Sequence, residues 1–259
     1  MRPHRSQRRR GLTFIELLIV IGGLLFLAAI FLPAVAQVRR AAGQAQGQNN
    51  LRQMALAAHN FHDSFNAWPP ALGKANNGDG PAHFHLLPFI EQQALWQKAE
   101  SSPAKNGVYG TIVPVFVDSA DTSTPPDERF QGWLALTNYP SNWMAFGIGD
   151  KRIQDITDGT SNTLMFTTRY RMCNGQPTGW GYPLLHTWAP IFAHYSTAKF
   201  QIAPKQEDCD PRLPQSFHDS QIMIGMCDGS VRMAAAGVSP RTWHHLCDPA
   251  DGNPLENDF

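Results

Sequence analysis

The feature that most constrains this chain is an apolar run near its amino end. Residues 12–32, LTFIELLIVIGGLLFLAAIFL, carry a single charge, at Glu16. About 20 consecutive apolar residues are enough for a helix to cross the hydrocarbon core of a bilayer. An acid inside such a run is costly in lipid and usually has a functional partner there. Ahead of the run stand five arginines, Arg2, Arg5, Arg8, Arg9 and Arg10, and Gly11 closes this leader. Arginines beside the amino end of a first span stay cytoplasmic, so a single pass is predicted with residues 33–259 outside the cytoplasm. Arg39 and Arg40 oppose that bias from the far side, but five outweigh two.

Residues 1–32 admit three readings. A secretory signal has an apolar region of about 7–15 residues and then a small-x-small cleavage site. Here the region is longer, and Ala34 and Ala36 offer such a site only beyond Pro33. A plain signal anchor fits the hydropathy and gives no reason for Glu16. The third reading rests on the stretch RRGLTFIELLIVIGGLLFLAAIFLPA, which closely resembles the amino-terminal segment of type IV pilins and type II secretion pseudopilins. That resemblance implies cleavage by prepilin peptidase after Gly11, methylation of the new amine on Leu12, and Glu16 as the fifth residue of the trimmed chain. Pro33 then falls at position 22, where many pilins have proline, whereas Leu12 replaces the usual phenylalanine. The Leu12 amine and the Glu16 carboxylate are opposite charges about one turn apart, or face each other across neighbouring subunits. Either pairing relieves an acid in lipid. In the resemblance, pairing between subunits sets axial register during filament assembly.

The 42% hydrophobic and 16% charged fractions suit a folded chain. The 227 residues after the run can build one domain with a sizeable core or two small ones. Net charge is zero overall, but removing the five leader arginines leaves 16 Lys+Arg against 21 Asp+Glu, a net of −5. With no basic surface signal outside the leader, no nucleic-acid partner is expected.

Helical spacing resumes after Pro33 and continues through Met54, Ala58 and Phe61, predicting one helix from 12 to about 62 with a kink near Ala29–Pro33. Gly43 and Gly47 are its weak points, each costing about 1 kcal/mol relative to alanine. Residues 63–82 read as a loop, His83–Leu87 as extended, and Pro88 as the first turn of a helix over PFIEQQALWQKAE. Val108–Val117 reads as an edge strand, Phe130–Met144 as one or two strands, and Thr163–Tyr170 as a strand. Ile222–Cys227 and Ser230–Ala234 flank Asp228-Gly229 as a hairpin, and the tail from Pro240 reads as loosely packed. The expected fold class is α+β and pilin-like: a long amino-terminal helix, its first half in the membrane, packed on a head with an antiparallel sheet. The corresponding divisions are 1–11 leader, 12–32 transmembrane and assembly helix, 33–62 stalk, and 63–259 head.

Further stretches extend the resemblance: NNLRQMALAAHNFHDSFNAWPP (49–70), LLPFIEQQALW (86–96), TNYPSN (137–142), DITDGTSNTLMFTTRY (155–170) and FHDSQIMIGMCDGSVR (217–232). In this order they resemble the DUF1559 family, whose members couple a prepilin-type amino end to a head with an H-X9-DG motif, here His218 and Asp228-Gly229. Members often have cysteine before NNL and a CPS turn, where this chain has Gln48 and Asp118-Ser119-Ala120. A disulfide between such a pair is impossible here. Thr168 stands where the strand after TSNT often ends in glutamate.

Sites of chemistry are few. His59 and His62, with His83 and His85, match no strong zinc spacing; neither does His244-His245. Asp155, Asp158 and Asn162, with Thr160, offer hard oxygen ligands, so calcium is the candidate ion, set against a simple turn in which Asp158 accepts backbone amides. Asp228-Gly229 is expected to be the hairpin turn, with His218 packed or bonded beside it. Cys173, Cys209, Cys227 and Cys247 permit two bridges in three connectivities. We favour Cys173–Cys209, which leaves Cys227–Cys247 to fasten the tail; Cys227 reads equally as a buried free thiol. Trp68, Trp133, Trp143, Trp180 and Trp188 serve as core and rim or line a carbohydrate surface. There is no G-x-S-x-G, P-loop or HExxH, and no enzyme activity is expected. The expected role is a pseudopilin-like subunit of a type II secretion or pilus-like machine, anchored in the inner membrane with its head periplasmic or extracellular. Its partners are prepilin peptidase and other pilin-like subunits or itself. The alternative is a solitary anchored binding module that does not polymerise.

Overall fold

A computed structural model of the chain describes residues 14–75, 78–99, 107–149, 151–217 and 220–259, with the backbone alone at 20, 28, 30, 33, 34 and 36. Gly11, Leu12 and His218 lie outside the described residues. Contacts divide the chain into two units, Met1–Ala42 and Gly43–Phe259.

Helix α1 (Phe14–Phe65) runs unbroken through Pro33 and ends three residues past its predicted limit. In the first unit its described large apolar side chains, among them Phe14, Leu24, Phe26 and Leu32, are exposed. Among the described residues, no helix is long and apolar enough to cross a membrane.

In the second unit Leu51, Met54, Ala55, Ala58 and Phe61 recur at three- and four-residue steps and are buried. Alanines on this stripe let the helix backbone approach its neighbours closely. Gly47 serves the same end: a Cβ there would lie 2.6 Å from Asp118 Oδ2 and 3.0 Å from Met223 Cε. The glycine that weakens the helix is therefore the point of closest approach.

After α1 the expected loop contains a small antiparallel ladder, β1 (Leu72–Ala75) with β2 (Gly78–Pro81). His83–Leu87 is not extended: Ala82–Leu86 forms helix α2, wholly buried. Pro88 opens a 3-10 turn at Leu87–Ile90, and α3 (Gln93–Ala99) follows as a separate helix. Val108–Val117 is likewise no strand. It folds as 3-10 turns at Val108–Gly110 and Pro114–Phe116, because Gly110 and Pro114 break it in the middle.

Short antiparallel β3 (Arg129–Phe130) and β4 (Leu134–Ala135) lead to β5 (Ser141–Asn142) and α4 (Trp143–Phe146). The strand predicted over 163–170 is β6 (Leu164–Thr167). Then come β7 (Met172–Cys173), β8 (Gln176–Pro177), β9 (Ile191–Phe192), β10 (Gln201–Ile202) and β11 (Gln215–Ser216). The predicted hairpin is β12 (Gln221–Met226) with β13 (Val231–Ala235).

The main sheet has the order β13-β12-β6-β5-β9. It is antiparallel except at its edge, where β5 and β9 pair in parallel. Period-two alternation along β12 separates two cores. Ile222, Ile224 and Met226 face a cluster with Phe200 and Val238, whereas Met223 and Cys227 face Leu51, Met54 and Phe166.

The tail is not loose. Ser239 caps α5 (Pro240–Cys247) by accepting the Thr242 amide, and Pro240 occupies the first turn. Trp243, Leu246 and Cys247 are fully buried against the sheet face opposite α1.

Candidate functional site

The densest chemistry in the second unit is a buried polar seam built from the TNYPSN stretch. Asn138 is fully buried. Its Oδ1 accepts the Asp118 amide at 2.8 Å, and its Nδ2 donates to Asp121 Oδ2 at 2.7 Å and to the Arg169 carbonyl at 3.0 Å. Asp121 Oδ2 also accepts the Arg171 amide at 2.9 Å and Arg171 Nε at 3.2 Å, with the two side chains 0% and 4% exposed. Arg171 donates further to the Asp121 carbonyl and to Thr124 Oγ1, so this buried ion pair is multiply hydrogen-bonded, as such a pair must be.

The seam reaches α1 through Asn50, whose Nδ2 donates to the Val117 carbonyl at 2.9 Å and lies 3.4 Å from the Tyr139 hydroxyl. Tyr139 in turn donates to Asp118 Oδ2 at 3.0 Å. Burial, followed by the Asp118 charge, holds the Tyr139 phenol well above its usual range. Two residues along from β6, Arg169 is fully buried and donates to the carbonyls of Ala189, Ile191 and Pro211 and to Thr178 Oγ1. Burial pulls its guanidinium down to about 9, which still leaves it protonated at neutral pH. Thr168 donates to the Gln215 carbonyl at 2.9 Å. These groups fasten segments together, and their polar atoms are engaged with one another. Sequence reading missed Asn50, Asp121, Arg169 and Arg171; the polar letters inside otherwise apolar signature stretches were the available signal.

The candidate calcium ligands have other employment. Asp158 accepts the Asp251 amide at 2.8 Å and the Gly252 amide at 3.0 Å, clamping the tail rather than only closing its own turn. Asp155 accepts the Arg152 amide, and Asn162 Nδ2 donates to the Asp158 carbonyl. At the hairpin, Gly229 takes φ +83°, which favours glycine, and Asp228 Oδ1 accepts the Ser230 amide at 2.8 Å. The Asp228 amide donates to the Thr160 carbonyl, so the DGTSNT turn and the hairpin turn are bonded together.

Cys173 and Cys209 form a disulfide across a sequence separation of 36. Cys227 and Cys247 do not bridge; both are buried free thiols. They belong to different clusters, on opposite faces of the sheet, and so cannot meet. Burial pushes both thiols up, which keeps them protonated and unreactive.

The histidine pairs are structural in their contacts. His83 Nε2 is 2.8 Å from the Tyr139 carbonyl and His85 Nε2 is 3.1 Å from that of Gly73. Burial lowers their pKa values to about 3 and about 4, so both are neutral. His59 meets the Trp68 ring edge-on and His62 meets it at a tilt, with centroids 5.1 and 5.0 Å away. Trp68 and Trp180 are fully buried; Trp133 is 44% exposed, and Trp143 and Trp188 are partly buried. They form no common platform with Trp68 or Trp180, whose rings are sealed in the core. A shallow aromatic cleft does form elsewhere, lined by Phe61, Phe65, Phe89 and Trp96 with His85 and Gln93. It brings together the 49–70 and 86–96 stretches.

A family model described as a protein of unknown function (DUF1559) matches residues 36–109 and 113–240, most of the chain. No curated protein and no solved structure matches it.

Proposed function

The chain belongs to the DUF1559 family, and from that premise we propose that it is a pseudopilin-like structural subunit of a type II secretion or pilus-like machine. In this reading prepilin peptidase cuts after Gly11, the apolar part of α1 anchors the protein in the inner membrane, and the head lies outside the cytoplasm. Glu16 pairs with the Leu12 amine of a neighbouring copy and sets the register of assembly. Pro33 lies in the same assembly segment.

One observation carries the proposal: large apolar side chains from Phe14 to Val38 are exposed along α1, behind a basic leader and around one acid. Such a surface needs lipid or like helices to cover it. A structural rather than enzymatic role is supported by the seam, where buried charges hold elements together.

The test is the intact mass of the protein recovered from a host that supplies prepilin peptidase. A chain beginning at Leu12 is expected; one beginning at Met1 overturns the processing step. Glu16→Gln is expected to abolish cross-linked multimers while membrane insertion persists. Unchanged multimers would remove Glu16 from assembly. An absence of multimers in the unaltered protein too would favour the solitary anchored module.

A further inference from the structure

The end of α5 carries ligating side chains that neither the seam nor the membrane segment uses. One ring nitrogen of His244 and one carboxylate oxygen each from Asp248 and Asp251 lie within 4.8 Å of one another. His244 and Asp248 are four residues apart, one helical turn, which puts them on one face. Asp251 is brought to them by the turn after the helix, where its amide is held by Asp158 and its carboxylate by His245 Nδ1. Thr197 Oγ1, 2.8 Å from His244 Nδ1, orients that ring.

Charge points the same way. Asp158, Asp248 and Asp251 gather around this turn, and among the described residues no lysine or arginine forms an ion pair with any of them. His245 is the basic group that touches Asp251. His244 is exposed and the two aspartates are half-buried, so an ion can enter from solvent.

We propose that His244, Asp248 and Asp251 bind a divalent transition-metal ion of the zinc type, stapling the end of α5 to the loop that follows. One imidazole and two carboxylates suit zinc, with water completing the shell, whereas calcium takes oxygen ligands alone. The His245–Asp251 hydrogen bond is the outer contact that steadies a metal-binding carboxylate. These residues lie beyond the part of the chain that the family model matches.

The experiment uses the full chain in detergent, without an affinity tag and stripped with chelator. Zinc chloride is titrated by calorimetry, and cobalt(II) by its visible absorption. One equivalent is expected to bind, and His244→Ala and Asp248→Asn are each expected to weaken it roughly tenfold or more. His62→Ala, remote in its contacts, is expected to leave it unchanged. Circular dichroism melts before metal addition establish that each variant is folded, and Asp248→Asn preserves the side-chain shape. Absence of saturable zinc binding, or binding indifferent to both substitutions, overturns the site.

Discussion

The two ends of α1 are made of similar apolar letters and meet opposite fates. Between Phe14 and Val38 the chain uses large residues, and those whose side chains are described are exposed: Phe14 is 78% and Leu24 61% accessible. Between Leu51 and Phe61 it uses alanines among a few larger residues, and the inward ones reach 0–2%. Hydrophobicity alone does not separate the two. Side-chain size does: alanines and Gly47 let a helix lie close to a sheet, whereas a continuous girdle of leucine, isoleucine and phenylalanine leaves no polar face to present to water.

The largest effect that tests this contrast is a charge placed on each end. Met54→Asp puts an unpaired carboxylate into the core beside Leu51 and Met223, costing several kcal/mol, and is expected to unfold the head. Leu24→Asp should leave the head's free energy of unfolding in urea unchanged, within about 0.5 kcal/mol. Equal destabilisation by the two would break the comparison. Next comes Asp121→Asn, which removes the buried partner of Arg171 and leaves its guanidinium only the half-exposed Glu128 carboxylate, 3.5 Å away; a loss of about 3 kcal/mol is expected by denaturant unfolding. Gly47→Ala should cost less, about 1–3 kcal/mol, despite its better helix propensity, because the methyl meets Asp118. A stabilised Gly47→Ala protein would mean that α1 does not approach the loop so closely.

The most gradual effect is a pH slope. His83 and His85 are held near 3 and 4 when folded, below the ordinary 6.5, so the unfolded chain binds more protons between those values. Their stabilising share is complete above about 6.5 and is lost as pH falls toward the folded values, by about 1 kcal/mol per pH unit for each ring. Urea midpoints measured from pH 7 down to 4.5 should fall accordingly, and His83→Gln should flatten the slope by one histidine's share.

Much of the fold was legible where one local signal acted alone. The α1 stripe, β6, and the β12–β13 hairpin with its Asp228-Gly229 turn follow from periodicity and turn chemistry. The errors arose where two signals competed. The alternating letters of His83-Phe84-His85 suggested a strand, but five residues cannot distinguish a period of two from a buried helical turn, and α2 is buried on every side. Val108–Val117 is rich in β-branched residues, yet Gly110 and Pro114 divide it into turns. For α5 the signal was present and passed over: serine followed by proline is a helix start, and Trp243, Leu246 and Cys247 supply an inward face. The seam was legible only as motif letters. Nothing in TNYPSN tells that Asn138 will be sealed from water, since its partners Asp118, Asp121 and Arg169 come from distant stretches.

The roof that α5 places over β12 has a consequence for the order of events in the cell. Until residue 247 has left the ribosome, Ile222, Ile224 and Met226 have no Trp243 or Leu246 to cover them. The growing polypeptide therefore cannot close its second core while being made, and that face of β12 stays uncovered until synthesis is all but over.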